Sequence, residues 1–345
     1  MTQDERYMTR CIQLARMGAG QVAPNPMVGS VLVFENSIIG EGYHKKFGEA
    51  HAEVNCINSV EEKNKKHIPD SILYVSLEPC THFGKTPPCA DLILSNNIKK
   101  VVIGCQDIFK EVSGKGIQKL KDAGIDVITG VMEGEAFELN KRFFIFHRES
   151  RPYIILKWAE TGNRKLGGKG KRLKISNELS NRLVHKWRSE EAAILIGTNT
   201  VETDDPLLTT RLWAGKNPVR IIIDQSLRLP RSLNIFNNDT QTIVYNCIKD
   251  TIENKTQYIK IDDGDFLEKL TASLFKLNIQ SLIVEGGSKT LQSFIDLDLW
   301  DEARVITNGE LFIEDGIEAP QLKKFNLRKQ HRLGGDLISY FSREK

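Results

Sequence analysis

His51-Ala52-Glu53, then Pro79-Cys80, then Pro87-Pro88-Cys89 is the stretch from which the rest of this chain can be read. One histidine and two cysteines make three ligands for a tetrahedral zinc and leave the fourth position to water, as in catalytic rather than structural sites. A neutral imidazole with two thiolates brings the net charge near zero, so a bound water loses its proton close to neutral pH. Glu53 is placed to take that proton and hand it on. A structural zinc would need a fourth protein ligand, for which His82 is the nearby candidate.

The surroundings of these residues set the fold class. Ala50 to Val60 reads as a helix carrying His51 and Glu53 near its start, Ile72 to Leu77 as a buried strand delivering Cys80, and Cys89 to Leu94 as the next helix. Two helix starts then direct their dipoles at one point. Tyr7, Met8, Cys11, Ile12 and Ala15 recur at helical spacing, and Val31–Phe34 with Ser37–Ile39 reads as a hairpin around Glu35-Asn36. Strands at 101–104 and 125–128 alternate with helices at 116–123 and 133–146. That alternation predicts a layered α/β sheet.

The polar break Arg148-Glu149-Ser150-Arg151-Pro152 divides the chain into domains of residues 1–147 and 148–345. A second α/β series follows, with strands beginning at Tyr153, Ala192, Val219, Thr242 and Ser281 and a helix from Asn177 to Arg188. The basic run from Arg164 to Lys174 reads as a solvated loop. At 345 residues, 40% hydrophobic and 27% charged, the composition is that of a globular protein with two cores. A net charge of +3 gives no argument for a nucleic-acid or membrane partner, and without an apolar run or signal peptide the expected location is cytoplasmic. Of the six cysteines, 11, 56, 105 and 247 read as small hydrophobes rather than disulfides.

His-Ala-Glu with two Pro-Cys pairs is the signature of zinc deaminases that replace an exocyclic amine on a base, the glutamate shuttling protons without binding metal. Eight residues separate Cys80 from Cys89, where nucleoside and tRNA deaminases typically have two. With Pro24-Asn25-Pro26-Met27-Val28-Gly29 and Gly42-Tyr43-His44, the chain closely resembles the bifunctional riboflavin-biosynthesis deaminase–reductases. The resemblance implies a cytidine-deaminase-like three-layer α/β/α domain. It also implies the substrate 2,5-diamino-6-(5-phosphoribosylamino)pyrimidin-4(3H)-one, with Lys85 and His44 at its phosphate and Asn25 and Asp107 at its pyrimidine or ribose. After Asp107 the family's usual Pro-Asn-Pro is replaced by Ile108-Phe109-Lys110.

In the second half, a strand at 281–284 runs into Glu285-Gly286-Gly287-Ser288-Lys289-Thr290 and a helix, a turn through which backbone N–H groups reach a phosphate. Val184-His185-Lys186-Trp187-Arg188 and the segment Gly197 to Arg211 resemble the reductase half of the same family, whose fold is similar to dihydrofolate reductase. The resemblance implies NADPH-dependent reduction of the ribosyl group to ribityl. It places Arg188 and Arg211 on the substrate phosphate and ribose, Leu208 and Glu285 along the substrate site, and Ala159, Thr200, Asp204 and Gly287, Ser288, Lys289 and Thr290 on NADPH. Where the family reads Ser-Leu-Asp-Gly and then Ser-x-Trp, this chain has Thr161-Gly162-Asn163-Arg164 and Arg172-Leu173-Lys174; Lys174 and Arg172 are expected to substitute by binding phosphate, with Lys174 counted among the cofactor-binding residues. Gln225 stands where a serine usually follows the aspartate. These departures leave open a second reading, an active deaminase with a degenerate, structural or substrate-binding reductase domain. A nucleic-acid-base deaminase fits the charge pattern less well. The family also implies a homo-oligomer.

Overall fold

The structure, a computed structural model, describes residues 1–83, 87–108, 113–168, 173–262 and 264–344. The chain divides into two compact units, Met1–Ser150 and Arg151–Lys345. The division falls inside the polar break, a few residues past the 147/148 boundary read from sequence, because a helix runs through Arg148 to Glu149 before Ser150 turns left-handed.

In chain order the first unit holds α1 (Gln3–Arg16), β1 (Gly29–Phe34), β2 (Ser37–Tyr43), α2 (Ala52–Asn58), β3 (Ile72–Leu77), α3 (Cys89–Ser95) and β4 (Lys100–Cys105). It closes with α4 (Lys115–Asp122), β5 (Asp126–Thr129), α5 (Glu133–Leu139) and α6 (Lys141–Glu149). The five strands run in the order β2-β1-β3-β4-β5, the hairpin antiparallel and β3, β4 and β5 parallel. One core, with Met8, Cys11, Tyr74 and Phe144, lies under α1, α5 and α6. The other, with Cys56, Ile93, Val101 and Leu120, lies under α2, α3 and α4. The unit is therefore a three-layer α/β/α sandwich. The single helix read over 133–146 is two helices. Asn140 interrupts it, its side chain donating to the carbonyl of Met27 and accepting from the Met27 N–H, both at 2.8 Å.

Two glycines let helices sit flat on this sheet. A Cβ on Gly29 would lie 2.0 Å from the Cys11 carbonyl oxygen, and one on Gly42 would lie 2.2 Å from the Cys56 nitrogen. No real Cβ tolerates such contacts, so α2 reaches β2 only because residue 42 has no side chain.

The second unit starts with β6 (Tyr153–Thr161), β7 (Lys165–Gly168), α7 (Glu178–Glu190), β8 (Ala193–Gly197), α8 (Thr198–Asp204), β9 (Val219–Ile223) and β10 (Thr242–Asn246). It continues with β11 (Thr251–Glu253), β12 (Thr256–Lys260), α9 (Phe266–Lys276), β13 (Ser281–Val284) and α10 (Ser288–Asp296). β14 (Glu302–Asn308), β15 (Gly316–Glu318), β16 (Phe325–Leu333) and β17 (Asp336–Arg343) complete it. Ten strands form one sheet in the order β11-β12-β10-β9-β8-β13-β6-β14-β17-β16, parallel from β12 to β14 and antiparallel at both ends. β7 pairs with β15 in a separate ribbon, so part of the basic run read as a loop is a strand. Ile154, Leu195, Ile221, Leu282 and Phe294 centre the core. Among the described residues, no helix is long and apolar enough to cross a membrane.

Candidate active sites

His51 is the N-cap of α2, Cys80 follows β3, and Cys89 begins α3. Their donor atoms, His51 Nδ1 and the two Sγ, all lie within 4.8 Å of one another. The imidazole Nδ1 is 3.3 Å from Cys89 Sγ and 3.6 Å from Cys80 Sγ. Ordinary Zn–N and Zn–S bonds at a tetrahedral angle give an N···S separation of about 3.6 Å. The donor set and its spacing thus fit zinc. The Cys89 N–H also donates to Cys80 Sγ at 3.4 Å, which favours the thiolate.

Glu53 is buried at 3% exposure, in the first turn of α2 beside these ligands. Burial, and then the neighbouring Cys80 sulfur, push its carboxyl above the usual range, as a proton carrier requires. His44 is buried too. Its Nδ1 faces the Ala50 carbonyl at 3.1 Å, so the proton on that nitrogen leaves Nε2 to accept from Asn25 Nδ2 at 3.1 Å. Burial holds the His44 imidazole below its usual value, in keeping with that neutral tautomer. Its ring meets His51 edge-on with centroids 5.4 Å apart, bringing Asn25 and His44 to the metal ligands. Lys85 lies outside the described residues.

Asp107 is buried beyond β4, and its backbone N–H donates to Glu78 at 3.2 Å. Sequence reading passed over Glu78. Its carboxylate also accepts from the N–H groups of Gly114, Gly116 and Ile117, so one buried side chain ties the Asp107 segment and the start of α4 to the Cys80 strand. The visible signal was Glu-Pro-Cys: a charged residue between a buried strand and a ligand.

In the second unit Arg188 and Glu285 form a two-pronged ion pair, Nε to Oε1 and Nη2 to Oε2 both at 2.8 Å. Lys157 on β6 completes a triad at 3.4 Å, and nothing in its local sequence marked it. Burial alone would raise the Glu285 carboxyl, but Arg188 and Lys157 outweigh it and hold it at about 2. The triad carries a net charge of +1. Arg188 therefore meets a carboxylate where the resemblance implied an open phosphate fork. Leu208 is buried at 3% exposure with φ 52°. Arg211 is exposed, and its charge acts with that of Arg188 on His185.

A cleft of about 720 Å³ is lined by Thr200, Asp204, Gly287, Ser288, Lys289 and Thr290 together with Gly167, Thr198 and Asn199. Thr290 packs where a Cβ on Gly197 would lie 2.7 Å from its hydroxyl, and the Gly287 N–H donates to Thr200 Oγ1 at 3.0 Å. These contacts stitch the starts of α8 and α10 into one floor of small side chains, with glycine backbone at the start of α10. Such a floor fits a dinucleotide pyrophosphate. Ala159 shares a face of β6 with Lys157 without lining the cleft, and Lys174 is exposed while its neighbour Leu173 forms the wall.

Two family models match the chain: the cytidine and deoxycytidylate deaminase zinc-binding region over residues 1–105 and the RibD C-terminal domain over residues 152–312. Riboflavin biosynthesis protein RibD of Aquifex aeolicus is 40% identical, covering 99% of this chain and 98% of that protein. The RibD protein of Escherichia coli is 35% identical over 94% of this chain and 96% of its own length. The crystal structure of a diaminohydroxyphosphoribosylaminopyrimidine deaminase/5-amino-6-(5-phosphoribosylamino)uracil reductase from Thermotoga maritima aligns with a TM-score of 0.90, 34% identity and 99% coverage of both chains.

Proposed function

The chain belongs to the RibD family of riboflavin-biosynthesis enzymes, and on that premise we propose how its two units share the chemistry. It is a bifunctional deaminase and reductase using zinc and NADPH. The first unit hydrolyses the 2-amino group from 2,5-diamino-6-(5-phosphoribosylamino)pyrimidin-4(3H)-one. The second reduces the ribosyl group of the deaminated product to ribityl.

His51, Cys80 and Cys89 would hold the zinc, which when bound would supply Lewis acidity and ease deprotonation of water. Glu53, its carboxyl raised by burial, would carry one proton to a ring nitrogen of the substrate and a further one to the departing ammonia. Asn25, fixed by His44, offers its amide to the substrate, and Glu78 holds Asp107 for the pyrimidine or ribose. Lys85 is proposed for the substrate phosphate.

NADPH supplies the hydride in the second unit. Gly287, Ser288, Lys289 and Thr290 at the start of α10 hold its phosphates, with Thr200 and Asp204 opposite. The net positive charge of Lys157, Arg188 and Glu285 draws the anionic substrate, and Arg211 makes the exposed contact. Leu208 closes the apolar side. The proposal includes a cytoplasmic setting, where thiolate ligands stay reduced, and a homo-oligomer.

The convergence of His51, Cys80 and Cys89 beside buried Glu53 is the observation that carries the deaminase reading. The test is a coupled assay on zinc-loaded protein, following ammonia release with and without NADPH and NADPH oxidation in parallel. Ammonia release followed by NADPH consumption supports both steps. Ammonia without NADPH consumption would leave the second unit a silent module.

A further inference from the structure

The cofactor cleft of the second unit ends at a cation that the division of labour above does not use. Besides Gly167 and the glycine turn before α10, the cleft is lined by Gln225, Ser226 and Arg228 beyond β9. A neighbouring cavity of about 420 Å³ shares Ile223, Gln225, Lys289 and Thr290 with it, and Phe266, Leu267 and Leu297 give that cavity an apolar wall. A flat adenine suits this cavity, as the pyrophosphate suits the glycine turn. The ribose between them then faces the turn after β9.

That turn is built to present Arg228. The Asp224 carboxylate accepts from the backbone N–H groups of Arg228 at 3.2 Å and Leu229 at 3.1 Å. The guanidinium uses only Nη2, which donates to Asn199 Oδ1 and to Glu202 Oε2, the latter at 3.0 Å. Nε and Nη1 have no partner among the described residues, and the side chain is 51% exposed at the cleft mouth. A planar fork with unused donors matches a phosphate dianion.

We infer that Arg228 reads the 2′-phosphate of NADPH and sets the preference for it over NADH. This rests on the cofactor reading given above. Glu202 holds the guanidinium until a phosphate arrives. NADH offers a neutral 2′-hydroxyl there, which gains little from an arginine and suits a carboxylate better. Gln225 stands where the family usually has serine, and Arg228 is the cationic side chain of the turn from Asp224 to Leu229.

The experiment is calorimetric titration of the full-length, zinc-loaded protein with NADPH, NADH, adenosine 2′,5′-bisphosphate and 5′-AMP. Wild type is compared with Arg228→Gln and Arg228→Lys. The expected result is NADPH preference in wild type and a roughly 10- to 100-fold loss of NADPH and bisphosphate affinity in Arg228→Gln, of the size a charge-assisted bidentate contact gives. NADH affinity holds or improves, and Arg228→Lys recovers part of the loss as a point charge. Equal loss for NADPH and NADH, or no loss, overturns the assignment while leaving the cofactor reading standing. A wild type binding both cofactors equally does the same, whereas one binding neither brings down both.

Discussion

Replacing Glu78 by glutamine changes one buried group on which four backbone N–H donors converge. Oε1 accepts from Gly116 at 2.8 Å and Ile117 at 3.1 Å, and Oε2 from Gly114 at 3.0 Å and Asp107 at 3.2 Å. The amide keeps one oxygen and turns its NH₂ toward the other two donors, whichever way it flips. Two charge-assisted bonds are lost, each worth about 1.5–3 kcal/mol, so the variant should lose about 3–6 kcal/mol. For a unit of this size that lowers the melting temperature by roughly 10–20 °C. The neighbourhood cannot relax easily: the Gly116 Cβ position is 2.1 Å from the Pro79 carbonyl oxygen, so α4 already rests on the ligand-bearing strand. Thermal unfolding of zinc-saturated protein, with ammonia release measured below the transition, tests this. Deaminase KM should rise as Asp107 loosens, while NADPH oxidation on pre-deaminated substrate stays unchanged. A variant melting within about 2 °C of wild type and deaminating at the wild-type rate would refute the reasoning.

Gly42→Ala puts a methyl 2.2 Å from the Cys56 nitrogen and 2.5 Å from the Ala52 carbonyl oxygen, so α2 must lift. We expect a loss of at least about 2 kcal/mol and faster zinc release to a chromophoric chelator; wild-type release would contradict the packing argument. Glu53→Gln should retain one zinc per chain by elemental analysis yet release ammonia at least about 100-fold more slowly. Chelation of wild type should abolish ammonia release and spare NADPH oxidation on pre-deaminated substrate. His185 is held at about 4, chiefly by burial and then by Arg188 and Arg211. Because the folded state binds that proton less readily than the unfolded chain, stability is full above about pH 6.5 and is lost as pH falls toward 4. The melting temperature should decline across that window, and His185→Gln should flatten the decline; an unchanged slope would count against it.

The zinc-ligand cluster was legible in the sequence because each ligand sits at the end of a short, strongly patterned element. Asn25 and His44 were legible only through resemblance; their pairing with each other, 3.1 Å apart, has no sequence signature. The Lys157–Glu285–Arg188 triad was not readable as a unit, since β6, α7 and the end of β13 meet only in the folded sheet. Strands β14 to β17 escaped for another reason. β16 is an outermost strand, and its run Phe-Asn-Leu-Arg-Lys-Gln-His-Arg-Leu is mostly exposed, so it lacks the apolar alternation that marks a half-buried strand. β7 was hidden similarly, as its Lys-Leu-Gly-Gly gains strand character only by pairing with β15.

The triad also bears on why this reductase unit can function with its altered 161–174 segment. Burying Lys157 and Arg188 together would be costly for two like charges, and burial already pulls the Lys157 amine below its usual value. Glu285, engaging both, keeps the pair charged and in place, at 10% side-chain exposure. Because Arg188 spends Nε and Nη2 on Glu285 and Nη1 on the Thr209 carbonyl, its guanidinium has little left to grip a ligand directly. On the substrate site proposed above, the triad would offer a phosphorylated ligand a fixed field of one positive charge in a poorly solvated wall, where Coulomb attraction is much stronger than in water. None of its members lies in the altered segment.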